Sequence, residues 1–304
     1  MKFLTYKVPG ALRLGALDDQ KGVLDLVRAS RELCHKELPG TLRGVIAGGV
    51  QALADARVAF AAAHKSGPAD LWTPLSDDII ATPLPGATKN VFCVGRNYKL
   101  HIEEMARAKN VPPSYPKFPE YFTKPPTTII GHGDGVERHA AHTQKLDYEV
   151  ELAIVIGKRG RNITEAHALE HVFGYTVLND VTARDAQTNH GQFFKGKSFD
   201  TFCPIGPYVV TKDHFGDWSG HRLWLSVNGK IRQDSTTSDL LFGVPKIIES
   251  LSAALTLEPG DIICTGTPAG VASGMEPPLW LQSGDVMEAC VEGIGVLRNK
   301  VLPA

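Results

Sequence analysis

No apolar run in this chain approaches the roughly 20 residues that a membrane-crossing helix needs. Stretches such as Leu152–Ile156 are far shorter. The opening residues, Met1 to Lys7, lack the apolar core of a secretory leader. Neither sign of charge is in excess: 32 Lys and Arg stand against 33 Asp and Glu, for a formal net charge of −1. That balance removes the electrostatic reason to expect nucleic acid or an acidic membrane as partner. A small molecule is expected instead. The five cysteines (Cys34, Cys93, Cys203, Cys264, Cys290) are scattered and never form CxxC. This argues against a disulfide framework and against structural zinc. They read as reduced, mostly buried thiols of a cytoplasmic protein. No GxSxG occurs, so serine-hydrolase chemistry has no support.

What remains is the composition of an ordinary globular chain, 43% apolar and 21% charged. Its 304 residues suffice for a small domain followed by a larger one. Residues 1–80 read as the small unit, of α+β type. Strand-like runs at Phe3–Val8 and Leu12–Leu17 precede a helical pattern from about Thr41 to Ala63. There Leu42, Val45, Ile46, Val50, Leu53 and Val58 recur near 3.6-residue spacing. Ser66-Gly67-Pro68 ends that helix, and Pro83-Leu84-Pro85-Gly86 marks a linker. From Asn90 to the C-terminus (90–304) short β runs dominate. Leu223–Gln233 reads as a hairpin turning at Asn228-Gly229, which suit the two positive-φ positions of a type I′ turn. Asp239–Leu255 reads as a helix interrupted early by Pro245.

The richest segment is Asp147-Tyr148-Glu149-Val150-Glu151-Leu152 and the apolar residues that follow. On a strand, Asp147, Glu149 and Glu151 share one face, opposite Tyr148, Val150 and Leu152. Two carboxylates about 4 Å apart repel by about 4 kcal/mol at an effective dielectric near 20. They must share a proton, face water, or hold a cation. An exposed edge strand with solvated acids satisfies this; so does a metal site. Asp180, at the end of the apolar run Phe173–Leu178, tips the reading toward a site. Oxygen ligands without His or Cys favour Mg²⁺ or Mn²⁺, with Ca²⁺ possible in vitro, over zinc.

In Gly95-Arg96-Asn97-Tyr98-Lys99-Leu100-His101-Ile102-Glu103-Glu104, a short helix would place His101 and Glu104 three apart on one face. A carboxylate that orients an imidazole favours its proton-accepting role; a surface ion pair is the plainer outcome of such spacing. The Lys- and Pro-rich stretch that follows, Ala106–Pro119, reads as a mobile loop. Gly191–Ser198 fits the phosphate-binding pattern GxxxxGK[ST], but two phenylalanines fill the loop and no apolar strand precedes it.

Taken in order, these segments resemble the fumarylacetoacetate hydrolase family. The stretches that carry the resemblance begin with Val94–Tyr98, His101 with Glu104, and Phe122–Pro125. Asp147–Leu152, Gly174–Thr176, Asn179–Asp185, Lys197–Asp200 and Pro259–Asp261 leading to Thr265–Pro268 complete it. The resemblance implies a mainly β (α+β) fold, a β roll preceded by a small N-terminal α+β domain, and a homodimer. By position it makes Glu149, Glu151 and Asp180 the metal ligands and His101, Glu104 and Lys197 the catalytic groups. Arg184, Gln187, Thr265, Gly266 and Thr267 would line the substrate site. The implied reaction is hydrolysis of a C–C bond in a small 2,4-dioxo acid of acylpyruvate type, through an enolate on the divalent ion. Isomerisation or decarboxylation of a 2-oxo or 2-hydroxydienoic diacid, oxaloacetate included, is the alternative at the same site.

Overall fold

The computed structural model describes residues 1–303. A long mixed sheet organises the chain, in the order Trp72–Thr73, Gly22–Asp25, Ala11–Asp18, Lys2–Val8, Cys203–Thr211, Val172–Asn179, Val150–Ile156, Ile262–Cys264, Val91–Gly95, Glu120–Lys124. The N-terminal hairpin enters this sheet directly, with Lys2 opposite Val210, so one sheet runs through residues 1–80 and 90–304.

The strand Val150–Ile156 lies inside the sheet, between Val172–Asn179 and Ile262–Cys264, and every one of its residues is buried. It is no solvated edge. Its alternation sets the layers. Leu152 and Ile154 join Leu223, Leu225, Met287 and Val291 of a second, five-stranded sheet. Ala153 and Val155 pack on the other side with Leu42, Val45 and Ala56 of the N-terminal helices. Each such buried Leu, Ile or Val contributes about 1.5–3 kcal/mol of transfer free energy. A strand clamped on both faces in this way fixes where its terminal carboxylates point.

The expected hairpin is present as Arg222–Val227 and Lys230–Thr236, with φ of 51° at Asn228 and 74° at Gly229. Its ladder slips from Leu225↔Gln233 to Ser226↔Ile231, which leaves Arg232 as the extra residue of a β-bulge.

Two helical readings need correction. The single helix expected from Thr41 to Ala63 is two, Leu42–Ala47 and Gly49–Ser66, broken where Gly49 takes φ +63°. The turn resets the helical phase. Ala52, Ala56, Ala59 and Ala63 therefore form the buried face, while Val50 is 88% exposed and Val58 50%. The helix expected over Asp239–Leu255 spans only Val244–Ser252, and Pro245 opens it rather than interrupting it. In a first turn the missing N–H has no acceptor to lose. Three of the cysteines are buried, two half-buried, and all five are free.

Candidate metal centre and catalytic dyad

Glu149 and Glu151 flank Val150 at the start of the central strand, and Asp180 follows the end of its neighbour, Val172–Asn179. A backbone bond from Asp180 N–H to the Glu149 carbonyl (2.8 Å) holds the two ends together. One carboxylate oxygen from each of the three lies within 4.8 Å of the others, and all three residues are buried. An all-carboxylate donor set of this kind fits a hard divalent ion.

Buried cations surround the triad. Lys197 Nζ donates to Glu149 Oε2 (2.6 Å) and Asp180 Oδ2 (2.7 Å). Arg184 bridges Glu149 Oε1 (2.6 Å) and Asp147 Oδ2 (2.8 Å). Lys124, fully buried, donates to Asp180 Oδ1 and to the Val181 carbonyl. Lys124 lies within Phe122–Pro125, a stretch that carries the resemblance without assigning this lysine a role. Its signal was parity: it shares a strand face with Phe122, so a lysine there faces inward.

The four carboxylates Asp147, Glu149, Glu151 and Asp180 meet three cations, and the unmatched one is Glu151. Its one hydrogen-bond partner among the described residues is the Gly266 N–H at 2.8 Å. Burial, then Asp180 and Glu149, push its carboxyl well above the usual range. For Glu149 burial works in the same direction, but Lys197 and then Arg184 outweigh it and bring the group down to about 2. Burial also opposes the Lys197 charge, yet Asp180 and Glu149 together raise its pKa.

These directions fix a pH dependence. With Glu151 raised above its unfolded value, its own contribution to metal-free stability is greatest below the ordinary glutamate range and declines as pH climbs toward the raised value. A divalent ion binds the ionised form and cancels that loss. The rise in melting temperature on adding Mg²⁺ in place of EDTA should therefore grow from mildly acidic to mildly alkaline buffer. A gain independent of pH would count against the Glu151 assignment.

The helix Lys99–Ala108 carries the dyad. His101 Nδ1 meets Glu104 Oε2 at 3.2 Å, both nearly buried, which leaves Nε2 as the free ring nitrogen. Glu104 also accepts from the Gly270 N–H through Oε1, at 2.9 Å. His101 lies close enough to Glu149 for its charge to act there. Asn97 secures the base of the helix: its amide donates to the carbonyls of Thr265 (2.8 Å) and Phe242 (3.0 Å) and accepts from Phe242 N (2.8 Å). No pattern in the sequence announced that clasp.

The remaining expected site residues divide. Gly266 reaches Glu151 through its N–H, and Gln187 Oε1 accepts from Arg184 at 3.3 Å. The hydroxyls of Thr265 and Thr267 donate instead to the carbonyls of Leu152 and Val150, so they brace the ligand strand. The phosphate-loop match fails on structure. Gly191–Ser198 follows the helix Arg184–Asn189 rather than a strand, and its lysine, Lys197, is engaged by two carboxylates.

Residues 90–302 match the model of the fumarylacetoacetate (FAA) hydrolase C-terminal domain. The chain belongs to the fumarylacetoacetate hydrolase family. The oxaloacetate tautomerase YisK of Bacillus subtilis (strain 168) is 42% identical over 304 residues, spanning 99% of this chain and 100% of its own length. A solved fumarylacetoacetate hydrolase (EaFAH) from psychrophilic Exiguobacterium antarcticum is 41% identical, with a TM-score of 0.80 over 100% of both chains. A 5-carboxymethyl-2-hydroxymuconate delta-isomerase from Mycobacterium smegmatis is 31% identical, with a TM-score of 0.73 over 99% of each. Membership makes this chain an enzyme with the sheet-rich α+β fold of the fumarylacetoacetate hydrolase family. Among the described residues no helix is long and apolar enough to cross a membrane.

Proposed function

We propose that this enzyme interconverts the keto and enol forms of a small 2-oxo dicarboxylic acid of the oxaloacetate type. The supporting observation is a buried all-oxygen triad with an oriented imidazole, one ring nitrogen free, near enough to act on Glu149. The full-length relative that is an oxaloacetate tautomerase points the same way. Glu149, Glu151 and Asp180 would hold Mg²⁺ or Mn²⁺, which would draw negative charge onto the 2-oxo oxygen of the substrate.

The chain's own groups then supply the proton traffic. His101, with Nδ1 turned to Glu104, takes the proton from the carbon beside the carbonyl through Nε2. Glu104 keeps the ring in register and stabilises the imidazolium that forms. The Lys197 ammonium adds positive charge beside the developing oxyanion. Returning the same proton to oxygen gives the enol; the reverse sequence gives the ketone.

Hydrolytic C–C cleavage, the reaction that the family resemblance implies, stands second. It draws support from the similarity to the Exiguobacterium hydrolase, and the same imidazole would then take its proton from water.

The deciding experiment follows oxaloacetate enol absorbance and an acetylpyruvate NMR time course in parallel, each with Mg²⁺ and with excess EDTA. Metal-dependent acceleration of the first alone supports the tautomerase. Metal-dependent release of acetate and pyruvate installs the hydrolase in its place. His101→Ala should slow the supported reaction by about 10²–10⁴-fold, while the Mg²⁺-induced rise in melting temperature persists. A variant as fast as wild type removes His101 from the mechanism.

A further inference from the structure

Of the lysines and arginines that are not exposed, all but one donate to a carboxylate or a carbonyl. Lys124, Arg184 and Lys197 do so in the site. Arg96 does so at Glu120 and Arg43 at Gly260; Arg138 takes the Thr143 carbonyl, and Lys2, Arg28 and Lys246 pair with acids near the surface. Arg232 is half-buried and, among the described residues, has neither hydrogen-bond nor ion-pair partner. A guanidinium partly withdrawn from water without an acceptor is unfavourable until one arrives. Its planar fork suits a carboxylate taken through two bonds.

The position of this free cation is informative. Arg232 is the extra residue of the bulge in Lys230–Thr236, and bulges re-aim side chains beside active sites. Its backbone lies hard against Gly270, where an added Cβ would come within 2.0 Å of the Arg232 carbonyl. Gly270 in turn donates its N–H to Glu104 and accepts from the Tyr148 hydroxyl at 3.1 Å. The neighbouring Gln233 reaches Val150 N and Thr267 Oγ1, beside the ligand strand. The nearby carboxylates are taken: Glu104 by His101 and Gly270, Asp147 by Arg184, Ala272 and Ser273, and Asp234 by Arg222.

We propose that Arg232 receives the far carboxylate of a dicarboxylic 2-oxo acid and so sets a preference for diacids over mono-acids. The inference rests on the proposed function and gives that site its specificity residue. A charged hydrogen-bonding group of this kind is worth about 10- to 100-fold in affinity.

The test compares oxaloacetate with its 4-methyl ester, which keeps the 2-oxo acid and masks the far charge. Arg232→Gln should raise KM for oxaloacetate about 10- to 100-fold, with kcat little changed and the ester unaffected. Arg232→Lys should recover part of the loss, because a point charge replaces the fork. Equal effects on both compounds, or none on either, overturn the assignment. So does a change of oligomeric state with substrate preference intact, which would make Arg232 an interface residue. Calorimetric titration of the Mg²⁺-loaded protein with the same pair reads binding without turnover. Selective loss of oxaloacetate affinity in Arg232→Gln supports the assignment even if wild type proves inactive on oxaloacetate, an outcome that sinks the tautomerase reading alone. Unchanged oxaloacetate affinity in the variant overturns the role of Arg232 and leaves the tautomerase reading standing.

Discussion

Glu151→Gln is expected to melt no lower than wild type in EDTA and to lose its response to Mg²⁺. Glutamine has the same shape and still offers an oxygen to the Gly266 N–H. It removes a carboxyl whose ionisation burial and two neighbouring acids disfavour. The cost of charging that position disappears with it. Catalysis should fall by at least about three orders of magnitude, since a divalent ion's charge stabilisation is worth several kcal/mol and each 1.4 kcal/mol is tenfold in rate. The measurement is a pair of melting curves, with Mg²⁺ and with EDTA, beside a rate. A variant that Mg²⁺ still stabilises as it does wild type would remove Glu151 from the ligand set.

Glu149→Ala should behave in the opposite way. Here the carboxylate is paired, and its removal strips an acceptor from both Lys197 and Arg184 in a region closed to water. Breaking a buried pair by deleting one partner costs about 3–5 kcal/mol. The loss should appear in the urea midpoint even in EDTA, and activity should vanish with it. Because Glu149 is depressed to about 2, its contribution is present above the ordinary glutamate range and fades as pH falls toward that value. The gap between variant and wild type should therefore narrow in acid. Equal urea midpoints in EDTA near neutrality would show that Lys197 and Arg184 do not depend on Glu149.

The contrast between these neighbours marks how far the sequence could be read. Strand parity placed Glu149 and Glu151 on one face, the end of an apolar run put Asp180 at a strand end, and the family resemblance grouped the three. HxxE spacing on a short helix paired His101 with Glu104, and the resemblance made that pair a dyad. Parity and spacing are local rules, and each needs only its own segment. Which carboxylate is neutralised depends on Lys124 and Lys197, which arrive from distant strands and helices, and no local rule reports that.

The N-terminal helix failed for a related reason. The periodicity through Val50 and Val58 was real, but one left-handed glycine reset the phase, and alanines became the inner face. Arg232 was hidden by the hairpin's own regularity. Alternation counts residues and cannot see that one of them is extra.

Glu104 has two oxygens and two duties. One oxygen holds His101 and the other holds the backbone of Gly270. Orientation of the base and docking of its helix are thus interlocked in a single side chain. Any excursion that lifts the helix away from Gly270 pulls the carboxylate from its backbone anchor and loosens the ring that it steers. Docking of the helix and steering of the base become one event, and an undocked helix would carry a disarmed base.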